Sequence, residues 1–317
     1  MKRILAFVLV AGLLVSNLFG NATDDLFLAV SHKECTVQDV ETLISLGADV
    51  KATNGHGATA LMLSAPLGDN PEIVKCLVNA GADVNARAPQ EGFTLLSMVA
   101  GMNKVDMAKA LIELGADVNA RAQNGWTVLM MASELSSPEL IKLLVVAGAE
   151  VNARDLDGRT ALMYATQSNT AKAVKALILA GADVNVRDNR GWSALSHAAI
   201  YNKVSEIIKV LVDAGAKVNA RGQDGETVLM MAGFANDDET IIQSLIDCGA
   251  DVNAKTSDGF TALDIAASQN KNKAIIETLL DAKAVLASGK NNPCWSGKFN
   301  QLRVGKNQPF SASMANF

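Results

Sequence analysis

Residues 114–134 read LGADVNARAQNGWTVLMMASE, and most of that stretch returns along the chain with small edits. Gly-Ala-Asp or a near match begins at Gly47, Gly81, Gly115, Gly148, Gly181, Gly215 and Gly249, in steps of 34, 34, 33, 33, 34 and 34 residues. A period this steady means stacked copies of one small unit, none of which can bury its apolar face alone. Within one period the order is a Gly-x-Thr start, a short run containing Leu, a polar break, a second apolar run, then Gly-Ala-Asp-Val-Asn.

Each segment has a physical task. Thr127, Thr160, Thr227 and Thr261 stand where a hydroxyl caps a first helix by accepting from its free N–H groups. Gly115 and its equivalents end a second helix, because glycine takes the left-handed backbone without steric cost. Asn-Ala-Arg and the following Asn-Gly or Asp-Gly supply turn chemistry for a protruding hairpin. Leu43, Leu77, Leu111, Leu144, Leu177, Leu211 and Leu245 each stand four residues before the glycine, a register that predicts burial between helix pairs.

These residues resemble the ankyrin repeat, whose period is about 33 and whose signature is Thr-Pro-Leu-His-x-Ala. The matching segments are TALMLS at 59, TLLSMV at 94, TVLMMA at 127, TALMYA at 160, SALSHA at 193, TVLMMA at 227 and TALDIA at 261. None has the signature's proline or its histidine in place, so the family's Thr–His bond is lost, and Met62, Met130, Met163 and Met230 are expected to pack apolar side chains there. The resemblance implies an all-α solenoid of about eight stacked helix pairs with protruding β-hairpin loops, over residues 23–286. Residues 24–50 read as an N-terminal cap, followed by repeats near 54–86, 90–120, 123–153, 156–186, 189–220, 223–254 and 257–286. At the far end Lys283-Ala284-Val285 replaces Gly-Ala-Asp, which disfavours a further hairpin.

The flanks differ from the array. Residues 1–22 carry Lys2 and Arg3, an apolar run from Ile4 to Val15, and the small-residue end Gly20-Asn21-Ala22, a signal-peptide pattern. Export to the periplasm or beyond is therefore expected, with cleavage after Ala22 and no stable membrane span. The first cysteine, Cys35, lies too far on for a lipoprotein. Residues 287–317 match no repeat; they hold Lys290, Lys298, Arg303, Lys306, Trp295, Phe299, Phe310 and Phe317 and no acid, which suits either docking on an acidic array or a free terminus.

The formal charge of −5, from 28 basic and 33 acidic residues, argues against nucleic acid as partner. Cys35, Cys76, Cys248 and Cys294 match no metal-site spacing, their pairing is left open, and Cys76 and Cys248 read as buried thiols. No nucleophile, acid and base converge in the pattern; His32, His56 and His197 read as structural or solvated, and no cofactor or metal is expected. Asp49, Asp83, Asp117, Glu150, Asp183 and Asp251 form one ladder, and Arg87, Arg121, Arg154, Arg187, Arg221 and Lys255 another, read as hairpin-to-hairpin support.

The resemblance implies a monomeric, non-enzymatic protein-binding module whose partner touches the hairpin tips and the first-helix face. An envelope-protein stabiliser is the alternative, and an enzyme with an unrecognised site a remoter one. Mapped onto this chain, the contact positions are Phe93, Met102, Trp126, Glu134, Leu135, Arg159, Trp192, Ile200, Tyr201, Phe234 and Phe260. In so aromatic-poor a chain (4%), rings gathered at outward positions point to recognition, unless each packs as local core.

Overall fold

The computed structural model describes residues 21–67, 70–135, 137–167, 170–270 and 272–286. Among them run sixteen α-helices in eight consecutive pairs. The first helices are α1 (Ala22–Val30), α3 (Ala60–Leu67), α5 (Leu95–Gly101), α7 (Val128–Glu134), α9 (Ala161–Ala165), α11 (Ala194–Tyr201), α13 (Val228–Ala235) and α15 (Ala262–Gln269). The second helices are α2 (Val37–Ser45), α4 (Pro71–Asn79), α6 (Val105–Glu113), α8 (Pro138–Val146), α10 (Ala171–Leu179), α12 (Ser205–Asp213), α14 (Glu239–Asp247) and α16 (Lys273–Asp281). The chain forms two compact units, one reaching Ala132 and adding Lys142–Glu150, the other joining Ser133–Ile141 to the chain from Val151 onward. In the first, α1, α3 and α5 stack in a row beside α2, α4 and α6. In the second, α9, α11, α13 and α15 stack beside α10, α12, α14 and α16.

The two helix kinds bury differently. First helices are enclosed nearly all round: Val228, Leu229, Met230, Met231, Ala232, Gly233 and Phe234 of α13 are all buried. Second helices bury one stripe, centred on the predicted leucines, every one of which is at most 1% exposed. Removing such a side chain from water contributes about 1.5–3 kcal/mol.

Each second helix ends as predicted, on a glycine with φ between 87° and 102°, from Gly47 to Gly249. At Gly115 a Cβ would meet nothing within 4 Å, so the backbone angle alone selects glycine there. Lys283 takes the same left-handed turn at φ 63°, so the end of the array keeps the frame despite losing its glycine. Ala284 N still donates to Leu279 O at 3.0 Å and Val285 N to Asn253 Oδ1 at 2.9 Å.

Thr59, Thr94, Thr127, Thr227 and Thr261 accept from the N–H three residues on, as capping requires. Thr160 does not; its carbonyl takes the Met163 N–H at 3.0 Å instead, a tighter opening turn on a helix of only five residues. Met62, Met130, Met163 and Met230 are all buried, as expected of apolar packing, and two of them do more. The Met130 and Met230 thioethers also accept the cap's backbone N–H, from Thr127 and Thr227 at 3.4 Å. Asp264 performs the same task more strongly, accepting from Thr261 N at 2.8 Å. At these three caps the acceptor that replaces histidine reaches the free N–H.

The connecting hairpins contain no strand among the described residues. Each is a tight turn, with single bridges at Thr53–Thr59, Arg87–Thr94 and Arg121–Thr127. The turn glycines, Gly125 among them at φ 82°, set the reversal. Asn21 caps α1, its side chain accepting from Thr23 N at 3.0 Å. Cleavage after Ala22 would remove that cap, at a cost of about 1 kcal/mol.

Candidate functional site

The asparagine that ends Gly-Ala-Asp-Val-Asn does more than turn the chain. Asn119 Nδ2 donates to Gly148 O at 3.0 Å, and its Oδ1 accepts from Glu150 N at 2.8 Å, which ties one repeat to the next. Asn85, Asn152, Asn185, Asn219 and Asn253 repeat the bridge. The arginine ladder supports hairpins through carbonyls: Arg187 Nη1 donates to Gly191 O at 3.2 Å and to Arg221 O at 2.8 Å, and Arg154 likewise spans Gly158 O and Arg187 O. The acids turn inward on their own loops, Asp117 Oδ1 accepting from Asn119 N at 2.9 Å. These residues are committed to the frame.

A second amide ladder is buried inside the second unit. Asn236 Nδ2 donates to Ala199 O at 2.8 Å and Asn202 O at 2.9 Å, while its Oδ1 accepts from Asp238 N at 3.0 Å. Asn202 and Asn270 are placed alike. The carbonyls they satisfy lie where first helices end.

The residues expected to meet a partner divide by burial. Phe93, Trp192, Ile200 and Phe234 are buried, between 3% and 8% exposed, which corrects the expectation that they point outward. Ile200 and Phe234 lie on first helices, which are enclosed nearly all round, and burial of Phe93 and Trp192 shows that the position after the hairpin glycine does not always face solvent. Met102, Trp126, Glu134, Arg159, Tyr201 and Phe260 are half-buried, and Leu135 is exposed. Phe93, Met102 and Trp126 belong to the first unit and the remainder to the second.

What the second unit brings together is a polar and aromatic cluster across two successive repeats. In one, Tyr164 Oη donates to Asp155 Oδ2 at 2.5 Å, while Asp155 Oδ1 accepts from Arg159 N at 2.8 Å. In the next, His197, 0% exposed, pairs its Nε2 with Asp188 Oδ2 at 2.9 Å, and Asp188 Oδ1 accepts from Arg190 N and Trp192 N. Gln167 Nε2 lies 3.4 Å from His197 Nδ1. That pattern fits the neutral tautomer, with Nε2–H donating to aspartate and Nδ1 accepting from the amide. Trp192 meets His197 edge-on at 5.7 Å, and Tyr201 stacks on it at 6.1 Å. Arg159 lies 6.0 Å over the Tyr164 ring and Arg190 5.5 Å over Trp192.

The electrostatics agree with that tautomer. Burial lowers the His197 pKa against the raising pull of Asp188, with Arg159 and Arg190 adding to the lowering. Burial pushes Asp188 up, but hydrogen bonds from His197 and Trp192 N outweigh it and hold the carboxyl below its ordinary value. Burial and the bond to Asp155 raise Tyr164, keeping its proton in place. A fully enclosed neutral histidine is a structural group here, as the sequence suggested.

The signal for this cluster was present but rare. Asp155–Tyr164 and Asp188–His197 are nine residues apart, and at the same spacing the other repeats hold Ala122–Met131, Gly222–Met231 and Thr256–Ile265. An acceptor faces a donor in these two repeats, both are missing at Ala122–Met131 and Gly222–Met231, and Asn54–Leu63 and Thr256–Ile265 keep the polar residue without its donor.

Cys35, Cys76 and Cys248 are free thiols. Cys35 is buried, and desolvation, then Asp39 and Cys76, raise its pKa to about 11. Cys76 and Cys248 are half-buried rather than buried, since α4 shows that register to solvent and Cys248 caps α14. Desolvation raises both, so all three are poor nucleophiles. Cys294 and the basic tail lie outside the described residues. Among the described residues no cluster of three His, Cys, Asp or Glu side chains is placed to hold a metal, and no helix is long and apolar enough to cross a membrane.

The family model described as ankyrin repeats (3 copies) matches residues 26–122, 129–222 and 197–288. No curated protein matches the chain. Repeats of this family are generally protein–protein interaction modules and typically non-enzymatic. With helix pairs, capping turns and inter-repeat bridges recurring through the matched region, the chain belongs to the ankyrin-repeat family.

Proposed function

We propose that the chain is an exported, non-enzymatic binding module for a protein of the cell envelope or of the secreted space. The observation that carries this reading is the contrast within the hairpins. Asn, Arg and Asp ladders are consumed by the frame, whereas Trp126 in the first unit and Arg159, Tyr201 and Leu135 in the second keep accessible surface at positions the frame leaves variable. Aromatic and arginine side chains held rigidly beside exposed apolar ones are the usual anchors of protein recognition. Export rests on the basic n-region, the apolar run and the small-residue end of residues 1–22.

The test is affinity capture by the full chain from an envelope fraction, repeated with Trp126→Ala and Tyr201→Ala. One stoichiometric partner that is lost with either variant, while melting temperatures hold, supports the reading. Capture indifferent to both, or turnover of a substrate by the purified chain, overturns it.

A further inference from the structure

We infer that the cluster around Arg159 and Arg190 in the second unit takes an aspartate or glutamate side chain of the partner protein, flanked in that partner by an apolar residue. The inference rests on the protein-binding reading and specifies what is bound.

Arg159 stands in a row that other repeats fill with Trp, Phe, Ala or Glu, so a cation there is particular to this repeat. Its Nε is buried and has no hydrogen-bond partner among the described residues. The acids beside it do not supply one. Asp155 is committed through both oxygens, to the Tyr164 hydroxyl and the Arg159 backbone N–H. Asp188 is committed to His197 and to the N–H groups of Arg190 and Trp192. Asp157, exposed on the Arg159 hairpin, attracts the guanidinium but forms no ion pair with it. Arg190 is exposed, and its guanidinium rests on Trp192. Asn189 N donates to Asp157 O at 2.8 Å and Asn189 Nδ2 to Leu156 O at 2.9 Å, which ties the Arg190 hairpin to the Arg159 hairpin.

A carboxylate is the ligand this arrangement fits. A guanidinium presents a planar fork of donors that matches carboxylate geometry, and hydrogen bonds between charged partners are stronger than neutral ones. Tyr164 both hydrogen-bonds and faces the Arg159 guanidinium, Trp192 lies under that of Arg190, and part of the desolvation of Arg159 is already incurred in the free protein, so less is lost on binding. Leu156, 72% exposed on the Arg159 hairpin, and half-buried Tyr201 give an apolar border. The chain's net negative charge disfavours a polyanion and favours a single acid in an apolar setting.

The experiment is selection of a phage-displayed random peptide library on the full chain, followed by calorimetry with the selected peptides. Selected sequences should share an Asp or Glu beside an apolar residue. Arg159→Gln and Arg190→Gln should each weaken binding about tenfold, as should changing the peptide's acid to its amide, and the two kinds of change should not add. Affinity should fall with added salt. Arg190 is exposed, so its variant serves even where Arg159→Gln disturbs folding. Peptides without a shared acid, or peptides weakened by Tyr201→Ala but not by Arg190→Gln, overturn the carboxylate assignment and leave the binding module standing. Peptides indifferent to Arg190→Gln, Tyr201→Ala and Trp126→Ala alike count against both.

Discussion

The hairpin stems and the seams between hairpin and first helix are built from the same repeat, yet they behave as opposites. At the stem, Asn85, Asn119, Asn152, Asn185, Asn219 and Asn253 make one bond pattern over and over. At the seam, Asp155–Tyr164 and Asp188–His197 differ from each other and from pairs such as Ala122–Met131 and Thr256–Ile265 in other repeats. The stem satisfies backbone groups that every repeat exposes, so its residues cannot vary; the seam needs only mutual compatibility, so it can.

The comparison is open to attack by substitution. The largest effect belongs to the shared core: Leu144→Ala, at a fully buried position, should cost about 2–5 kcal/mol in denaturant unfolding. An unchanged midpoint would refute the register. Next come the two amide ladders. Asn236→Ala strands buried partners and should cost about 1–3 kcal/mol, whereas Asn219→Ala, on the exposed stem, should cost about 0.5–1.5 kcal/mol. Equal losses would mean that burial is not what separates them.

The seam predicts coupling. Asp188→Ala leaves the buried His197 N–H without its acceptor, and His197→Met leaves the carboxylate without its donor. Each should cost about 1–3 kcal/mol, yet the double variant, which recreates the Ala122–Met131 pairing, should recover part of the loss. Simple additivity would show that the two side chains act independently.

The smallest effect is on pH dependence. Burial lowers the His197 pKa, so the unfolded chain takes up its proton first as pH falls through the ordinary value of 6.5. Stability should therefore decline as pH drops below about 6.5, down to the lower folded value, and His197→Met should flatten that part of the profile. Asp188, held below its ordinary 3.8, adds stability that is lost only at lower pH. A wild-type profile with no decline below 6.5 would mean that His197 is not held neutral.

Features that act through one residue's own geometry were legible in the sequence. Gly115 announces a left-handed turn and Leu111 a buried stripe, because each recurs at a fixed register and needs no knowledge of its neighbour. Features that act between repeats were not. Asn119 reads as a turn residue until Gly148 and Glu150 stand opposite it, and Met130 reads as apolar filling until Thr127 N–H points at its sulfur. Trp192 and Phe234 were misplaced for a related reason: the period locates a position but not the side to which its ring turns. Within the candidate site, Arg159 and Tyr201 were legible as variable positions, while the aspartate pairs that hold them were hidden by occurring only twice.

The division of labour gives recognition to variable positions such as Tyr201 and the repeat-to-repeat ties to the stem. It is tested most directly by calorimetry of one captured partner against Tyr201→Ala and Asn219→Ala at a temperature where both are folded. Tyr201→Ala should lose most of the affinity, while Asn219→Ala should keep it despite lower stability. Affinity lost with Asn219→Ala and kept with Tyr201→Ala would contradict it.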